Sequence, residues 1–262
     1  MIVLKSRREI EKMRVAGRLV ADVLAAVADA AVAGVTTEEL DERAEERIRN
    51  GGGIPAFKHY QPDFIRCGPF PATLCTSVNS EVVHGIPDGR PLEEGDLLSV
   101  DTGAQVDGYF GDAAITVVIG DGNIEARLLA DATRRALEAG IRVCRPGNHL
   151  SDISHAVQEL AESEGYSVVR RFVGHGIGTS MHEDPPIPNY GEPGKGPVLK
   201  PGMVLAVEPM VNAGTWEVEA SPDYWRVCTR DGDLSAHFEH TIAITESGPD
   251  VLTAAEGLSG SL

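Results

Sequence analysis

Four carboxylates in this sequence stand beside apolar runs, where a solvent-facing acid would not be placed. Asp101 ends Leu97-Leu98-Ser99-Val100, and Asp112 precedes Ala113-Ala114-Ile115. Glu208 ends Met203-Val204-Leu205-Ala206-Val207, and Glu239 precedes His240-Thr241-Ile242. A carboxylate beside such runs is costly unless it is paired or holds a metal. His175 adds one imidazole, in Gly174-His175-Gly176-Ile177-Gly178, where the glycines let the backbone come close to a site. Four carboxylates and an imidazole form an oxygen-rich donor set that suits hard or borderline divalent ions such as Mn, Fe, Co or Zn. Five donors are too many for one catalytic ion with an open position. They suit two ions about 3.5–4 Å apart that share bridging carboxylates and a water ionised near neutrality. Each feature alone has a plainer reading: an Asp after an apolar run is a cap or turn residue, and the Gly-His-Gly stretch is a tight turn. That stretch also lacks the third glycine of a dinucleotide fingerprint. Only the joint occurrence points to metal chemistry.

The elements that must position these donors come in two kinds. Ser6 stands three residues before Glu9, a capping box, and Ile10, Met13, Val20, Leu24 and Val27 then recur at helical spacing up to a stop at Gly34. Thr36 and Glu39 open a second helix, with Leu40, Ala44 and Ile48 on one face before Gly51-Gly52-Gly53. The same unit returns later. Leu128, Leu129, Ala132 and Ala136 predict a helix that closes before Pro146-Gly147, and Ile153, Val157 and Ala161 predict a shorter one that ends at Gly165. This repetition reads as two related halves of one domain. After each helix pair come short apolar runs with turns: 97–101, 113–119, 167–173, 203–207 and 241–245. These predict strands. Helices followed by strands in each half give an α+β class. The spacing of Asp101 and Asp112 fits the two arms of one hairpin, with both acids on neighbouring strands. Residues 191–201 form a Gly/Pro-rich loop, and the tail after Thr253 is expected to be loose.

The bulk properties narrow the function. The chain has 262 residues, a net charge of −17 and 42% hydrophobic content, enough for one sizeable core. Such acidity argues against broad nucleic-acid binding and against a membrane surface, both of which need clustered Lys and Arg. Cys67, Cys75, Cys144 and Cys228 form no CxxC pair and read as reduced thiols, which predicts a cytoplasmic protein. The charged N-terminus has no apolar signal segment, and no run is long enough to span a membrane. No coiled-coil pattern is present, and a monomer is expected.

The ordered set Asp101, Asp112, His175, Glu208 and Glu239 resembles the metal ligands of type I methionine aminopeptidases, which have the pita-bread fold. The flanking words match too: Glu81-Val82-Val83-His84-Gly85-Ile86-Pro87, His182-Glu183-Asp184-Pro185, Val207-Glu208-Pro209-Met210, and Leu234-Ser235-Ala236 through Glu239-His240-Thr241. The resemblance runs from about residue 3 to about residue 250. It implies a single catalytic domain over 1–262, with two pseudo-symmetric halves and a curved antiparallel sheet backed by helices. The implied activity is hydrolytic removal of the N-terminal methionine from nascent proteins and peptides when the second residue is small, by a hydroxide activated between two divalent ions.

The resemblance also assigns roles. Asp101 binds one ion (Co, Mn, Fe, Zn or Ni), His175 and Glu208 bind the other, and Asp112 and Glu239 bridge both. Glu208 doubles as the proton shuttle. His182 contacts the scissile amide and steadies the tetrahedral intermediate, and His84 lies near the substrate amide and assists proton movement. Cys75, Met181 and Trp225 fall at the walls of an apolar pocket sized for a thioether, with Phe57 and Tyr60 as additions. Asn79 and Ser235 resemble a site for a monovalent cation. The implied partners are nascent N-termini at the ribosome.

Three departures and three rival readings stand beside this resemblance. The stretch around 61–68, which includes Cys67, is longer than in relatives and borders the pocket. Met181 replaces an aromatic found in many relatives, and Ala113 stands after Asp112 where a hydroxyl residue is common. Proline-directed relatives carry a large extra N-terminal domain, for which the stretch before His84 leaves no room. Type II enzymes carry an insertion that is not evident between His182 and Glu208. A non-catalytic binding module on the same fold is disfavoured because all five ligand positions are filled.

Overall fold

The capping boxes form as the sequence requires. In the computed structural model, which describes residues 1–61, 68–121, 123–220 and 225–254, helix α1 spans Arg7–Ala30. Ser6 Oγ accepts from the Glu9 amide, and the Glu9 carboxylate accepts from the Ser6 amide at 2.7 Å. Helix α2, Thr37–Asn50, opens with the same reciprocal pair between Thr36 and Glu39. The second helix pair is α3, Ile124–Arg142, capped by the Asn123 side chain, and α4, Leu150–Ser163, whose Asp152 carboxylate accepts from the His149 amide.

Between and after the helix pairs runs a nine-stranded sheet. Its main path is Ile54–Pro55, Leu97–Val106, Tyr109–Val118, Glu239–Thr245, Val204–Val207, Gly174–Gly176 and Glu183–Ile187, antiparallel at every step. Cys75–Val78 and Gly248–Val251 pair at its flanks. The architecture is the α+β, pita-bread arrangement, with strands contributed by both halves and one helix pair in each. The two central arms are longer than their apolar runs suggest, because a two-residue turn joins them. Asp107 (φ 48°) and Gly108 (φ 81°) both take the left-handed conformation that such a turn needs. The 167–173 run contributes only Ser167–Val168 as strand, paired with Met210–Asn212.

Strand alternation separates the core from the cavity. Leu98, Val100, Ala104 and Ala113 face α1 and α2, where they pack with Val20, Leu24, Leu40 and Ile48. Leu205, Val207, Ile242 and Ile244 pack with Leu137, Ile141 and Ile153 of α3 and α4. Each fully buried Leu or Ile contributes roughly 1.5–3 kcal/mol. The residues in alternate positions, Asp101, Asp112 and Glu239, therefore project from the opposite face. Among the described residues, no helix is long and apolar enough to cross a membrane. Most of the longer stretch around 61–68, including Cys67, and the tail from 255 lie outside the described residues.

Candidate metal centre

Five donors arrive from separate positions on the sheet. Asp101 and Glu239 both sit opposite Ala114 on strands flanking it, so the small Ala114 side chain separates two acids. Asp112, two residues before Ala114, shares its face. Its main chain is pinned by Thr241, whose hydroxyl accepts from the Asp112 amide and donates to the Asp112 carbonyl at 2.8 Å. Glu208 follows directly after Val204–Val207, and His175 lies opposite Ala206 of that strand. The glycines beside His175 allow close strand approach. A Cβ at Gly174 would lie 2.3 Å from the Ala206 carbonyl oxygen, and one at Gly176 would lie 2.1 Å from that of Asp184.

The side chains converge. His175 Nε2 lies 3.5 Å from Glu208 Oε1 and 3.9 Å from Asp112 Oδ2. Donor atoms of Asp112, His175 and Glu239 all lie within 4.8 Å of one another. The Asp101 and Asp112 carboxyl groups lie close enough for each to shift the other's ionisation. His175 Nδ1 is 2.9 Å from the Gly176 carbonyl, so it carries the proton and donates, which leaves the Nε2 lone pair facing the carboxylates.

Electrostatics shows what the cluster lacks. Asp101 Oδ1, Asp112 Oδ1 and Glu239 Oε1 are buried without a hydrogen-bond partner. Among the described residues, no Lys or Arg pairs with any of the four carboxylates. Burial pushes the Asp101 carboxyl up to about 8. Asp112, Glu208 and Glu239 are pushed well above the usual carboxylate range, first by burial and then by one another's charge. The His175 ring is pushed down to about 3, chiefly by burial, and is neutral and fit to be a ligand at physiological pH. Orphaned carboxylate oxygens, crowded negative charge and a neutral imidazole fit divalent cations.

The cluster opens into a cavity of about 820 Å³. Phe57, Tyr60, Phe70, Cys75 and Trp225 line its apolar side, with the Phe70 and Trp225 rings edge to face at 5.1 Å. Met181 does not line it. That side chain packs behind the wall with Ile10, Met13, Ala56 and Phe57, and a Cβ at Gly103 would lie 2.8 Å from its methyl. His84 stands edge-on to Phe172 and Trp225, at 5.5 and 6.3 Å, on a left-handed backbone (φ 59°) that costs energy outside glycine. Burial lowers its ring to about 4. His182 lies across the site, its ring 4.3 Å from that of His175, and its Nδ1 is 2.9 Å from the Tyr60 hydroxyl. Glu183 fixes that loop: it accepts from the Thr179 and Ser180 amides and pairs with the buried Lys5 at 2.5 Å.

Some placements differ from what the sequence suggests. Ala113 turns to the helix side, so a hydroxyl there would face the apolar core rather than the Asp112 carboxyl. Asn79 and Ser235 are neighbours, with the Ser235 amide donating to the Asn79 carbonyl. Their side chains are already engaged, by Asp96 and the Leu97 amide for Asn79 and by Asn212 for Ser235. Sequence reading overlooked Arg171, Phe172 and His237, all on the cavity wall. For His237 a signal existed, since it stands two residues before Glu239. For the other two none did.

Comparison with known proteins gives concordant results. The sequence profile of Metallopeptidase family M24 matches residues 11–246. The chain is 51% identical over 257 residues to the methionine aminopeptidase of Clostridium acetobutylicum, covering 98% of this chain and 100% of that one. It is 49% identical to methionine aminopeptidase 1 of Bacillus subtilis, covering 97% and 99%. The crystal structure of methionine aminopeptidase from Thermotoga maritima superposes with a TM-score of 0.92 at 46% identity, covering 97% and 99%.

Proposed function

The chain belongs to metallopeptidase family M24, and from that premise we propose that it removes the N-terminal methionine from polypeptides whose second residue is small. One observation carries the reading: buried, unpartnered carboxylate oxygens of Asp101, Asp112 and Glu239 meet a neutral His175 Nε2 at the floor of a cavity with an apolar wall.

Asp101 would hold one divalent ion, His175 and Glu208 would hold the other, and Asp112 and Glu239 would be shared between them. When bound, the ions supply Lewis acidity at the scissile carbonyl and the attacking water, and anchor the substrate's free amino group. The donor set accepts Co, Mn, Fe, Zn or Ni. Glu208 takes a proton from the water and passes it to the leaving amine. The Tyr60 hydroxyl lies 2.9 Å from His182 Nδ1; in the tautomer in which Tyr60 donates, His182 Nε2–H is left to donate to the scissile carbonyl oxygen. His84 contacts the substrate amide. The methionine side chain lies against Cys75 and Trp225, with Phe57 and Tyr60 beside them and Met181 backing the wall. The same reading places a monovalent cation near the backbone of Asn79 and Ser235. It places the enzyme in the cytoplasm, acting as a monomer on nascent chains at the ribosome, without nucleic-acid or membrane contacts of its own.

The test is a peptide panel with metal-loaded protein. Free methionine should be released from Met-Ala-Ser and not from Met-Leu-Ser, and a chelator should stop the release. Cleavage of Xaa-Pro peptides without methionine release would overturn the reading in favour of a proline-directed enzyme.

A further inference from the structure

His237 lines the same cavity and has no place in the scheme above. It is 2% exposed, and its Nε2 is buried with no hydrogen-bond partner. Its backbone is locked: the Thr116 hydroxyl donates to the His237 carbonyl at 2.7 Å and accepts from its amide at 3.0 Å. The strand Ser235–His237 is further fixed by pairing His237 with Met210. His84 lies near enough for its charge to act on the His237 ring, and both line the cavity. A buried unsatisfied nitrogen costs roughly 1–3 kcal/mol, and the open space that the ring borders is the cavity. A partner must come from within the cavity. A thioether sulfur is a weak acceptor, whereas a peptide amide offers a strong donor and a strong acceptor.

We propose that His237 is a substrate-contacting residue whose Nε2 hydrogen-bonds a main-chain amide of the peptide bound beside His84. This rests on the aminopeptidase reading and adds to it a polar contact on the cavity wall.

The experiment uses Zn-loaded protein with Met-Ala-Ser and norleucine-Ala-Ser, and compares wild type with His237→Leu and His237→Gln. The measurements are kcat, KM and zinc content per chain. His237→Leu should keep its zinc and lose about tenfold in kcat/KM on both peptides, the size of one hydrogen bond. His237→Gln, which retains donor and acceptor atoms, should recover most of that loss. Unchanged kcat/KM in His237→Leu would overturn the proposal. So would a loss that tracks lost zinc, which would mark a structural role through Glu239, or a loss confined to the methionine peptide, which would mark a sulfur contact. Should His237→Leu fail to fold, the ring nitrogen signals of wild type decide instead. A non-hydrolysable Met-Ala-Ser analogue should shift the His237 Nε2 resonance, and an unmoved resonance would refute the contact. Absence of methionine release by wild type would instead refute the aminopeptidase reading itself.

Discussion

Removing the metal should make the stability of this protein fall with pH in a way that loading restores. In the metal-free fold the Asp101 carboxyl ionises only at about 8, against an ordinary value of 3.8. Between those limits the folded state holds a proton that the unfolded chain has lost, so metal-free stability falls as pH rises. The slope is about 1.4 kcal/mol per pH unit for each such proton. Bound ions keep the carboxylates ionised in the fold, and the slope disappears. The buried rings of His84, His175, His237 and His240, lowered to between about 3 and about 4, are neutral in the metal-free fold over this range, and a nearby cation would lower them further, so they cancel in the difference. From pH 6.5 to 7.5, Asp101 alone should widen the gap between loaded and metal-free protein by about 1 kcal/mol, or about 2–4 °C in Tm for a domain of this size. Asp112, Glu208 and Glu239, whose carboxyls are raised further, act in the same sense. The assay is thermal melting with excess Mn(II) and with EDTA at pH 6.5, 7.0 and 7.5. A gap that stays constant or narrows would refute the claim that these acids are held protonated until a cation arrives.

Three further outcomes follow from the same geometry. Asp112→Ala or Glu239→Ala should abolish turnover and bind less metal by elemental analysis, and near-normal turnover in either would contradict shared ligation. His182→Ala should lower kcat on Met-Ala-Ser roughly 100-fold while metal content is unchanged, since its imidazole stands beside the donors rather than among them; metal loss would make it a ligand. Gly176→Ala should lower Tm by several degrees, because its Cβ would lie 2.1 Å from the Asp184 carbonyl oxygen and such overpacking costs about 1–3 kcal/mol; an unchanged melt would show that the strand can yield.

Much of this was legible in the sequence because the signals are local. The capping boxes at Ser6 and Thr36 and the spacing of Leu40, Ala44 and Ile48 are properties of a single helix, and the structure keeps them. The placement of Asp101 and Asp112 followed from hairpin arithmetic and strand alternation. The short strands were not legible: Cys75–Val78, Gly174–Gly176 and Ser235–His237 are too brief to carry a period, and only sheet pairing defines them. Cavity walls fail for a related reason. Tyr60 meets His182 from far along the chain, Phe172 meets His84 likewise, and Met181 lies one layer behind the surface assigned to it. Whether a side chain faces the cavity or backs it depends on packing between distant segments, which spacing does not encode.

The most direct test of the account is the anomalous scattering of a Mn(II)-soaked crystal. It should show two peaks at the floor of the cavity, one bonded to Asp101, the other to His175 Nε2 and Glu208, with Asp112 and Glu239 reaching both. No peak there, or ions held by other residues, would contradict it.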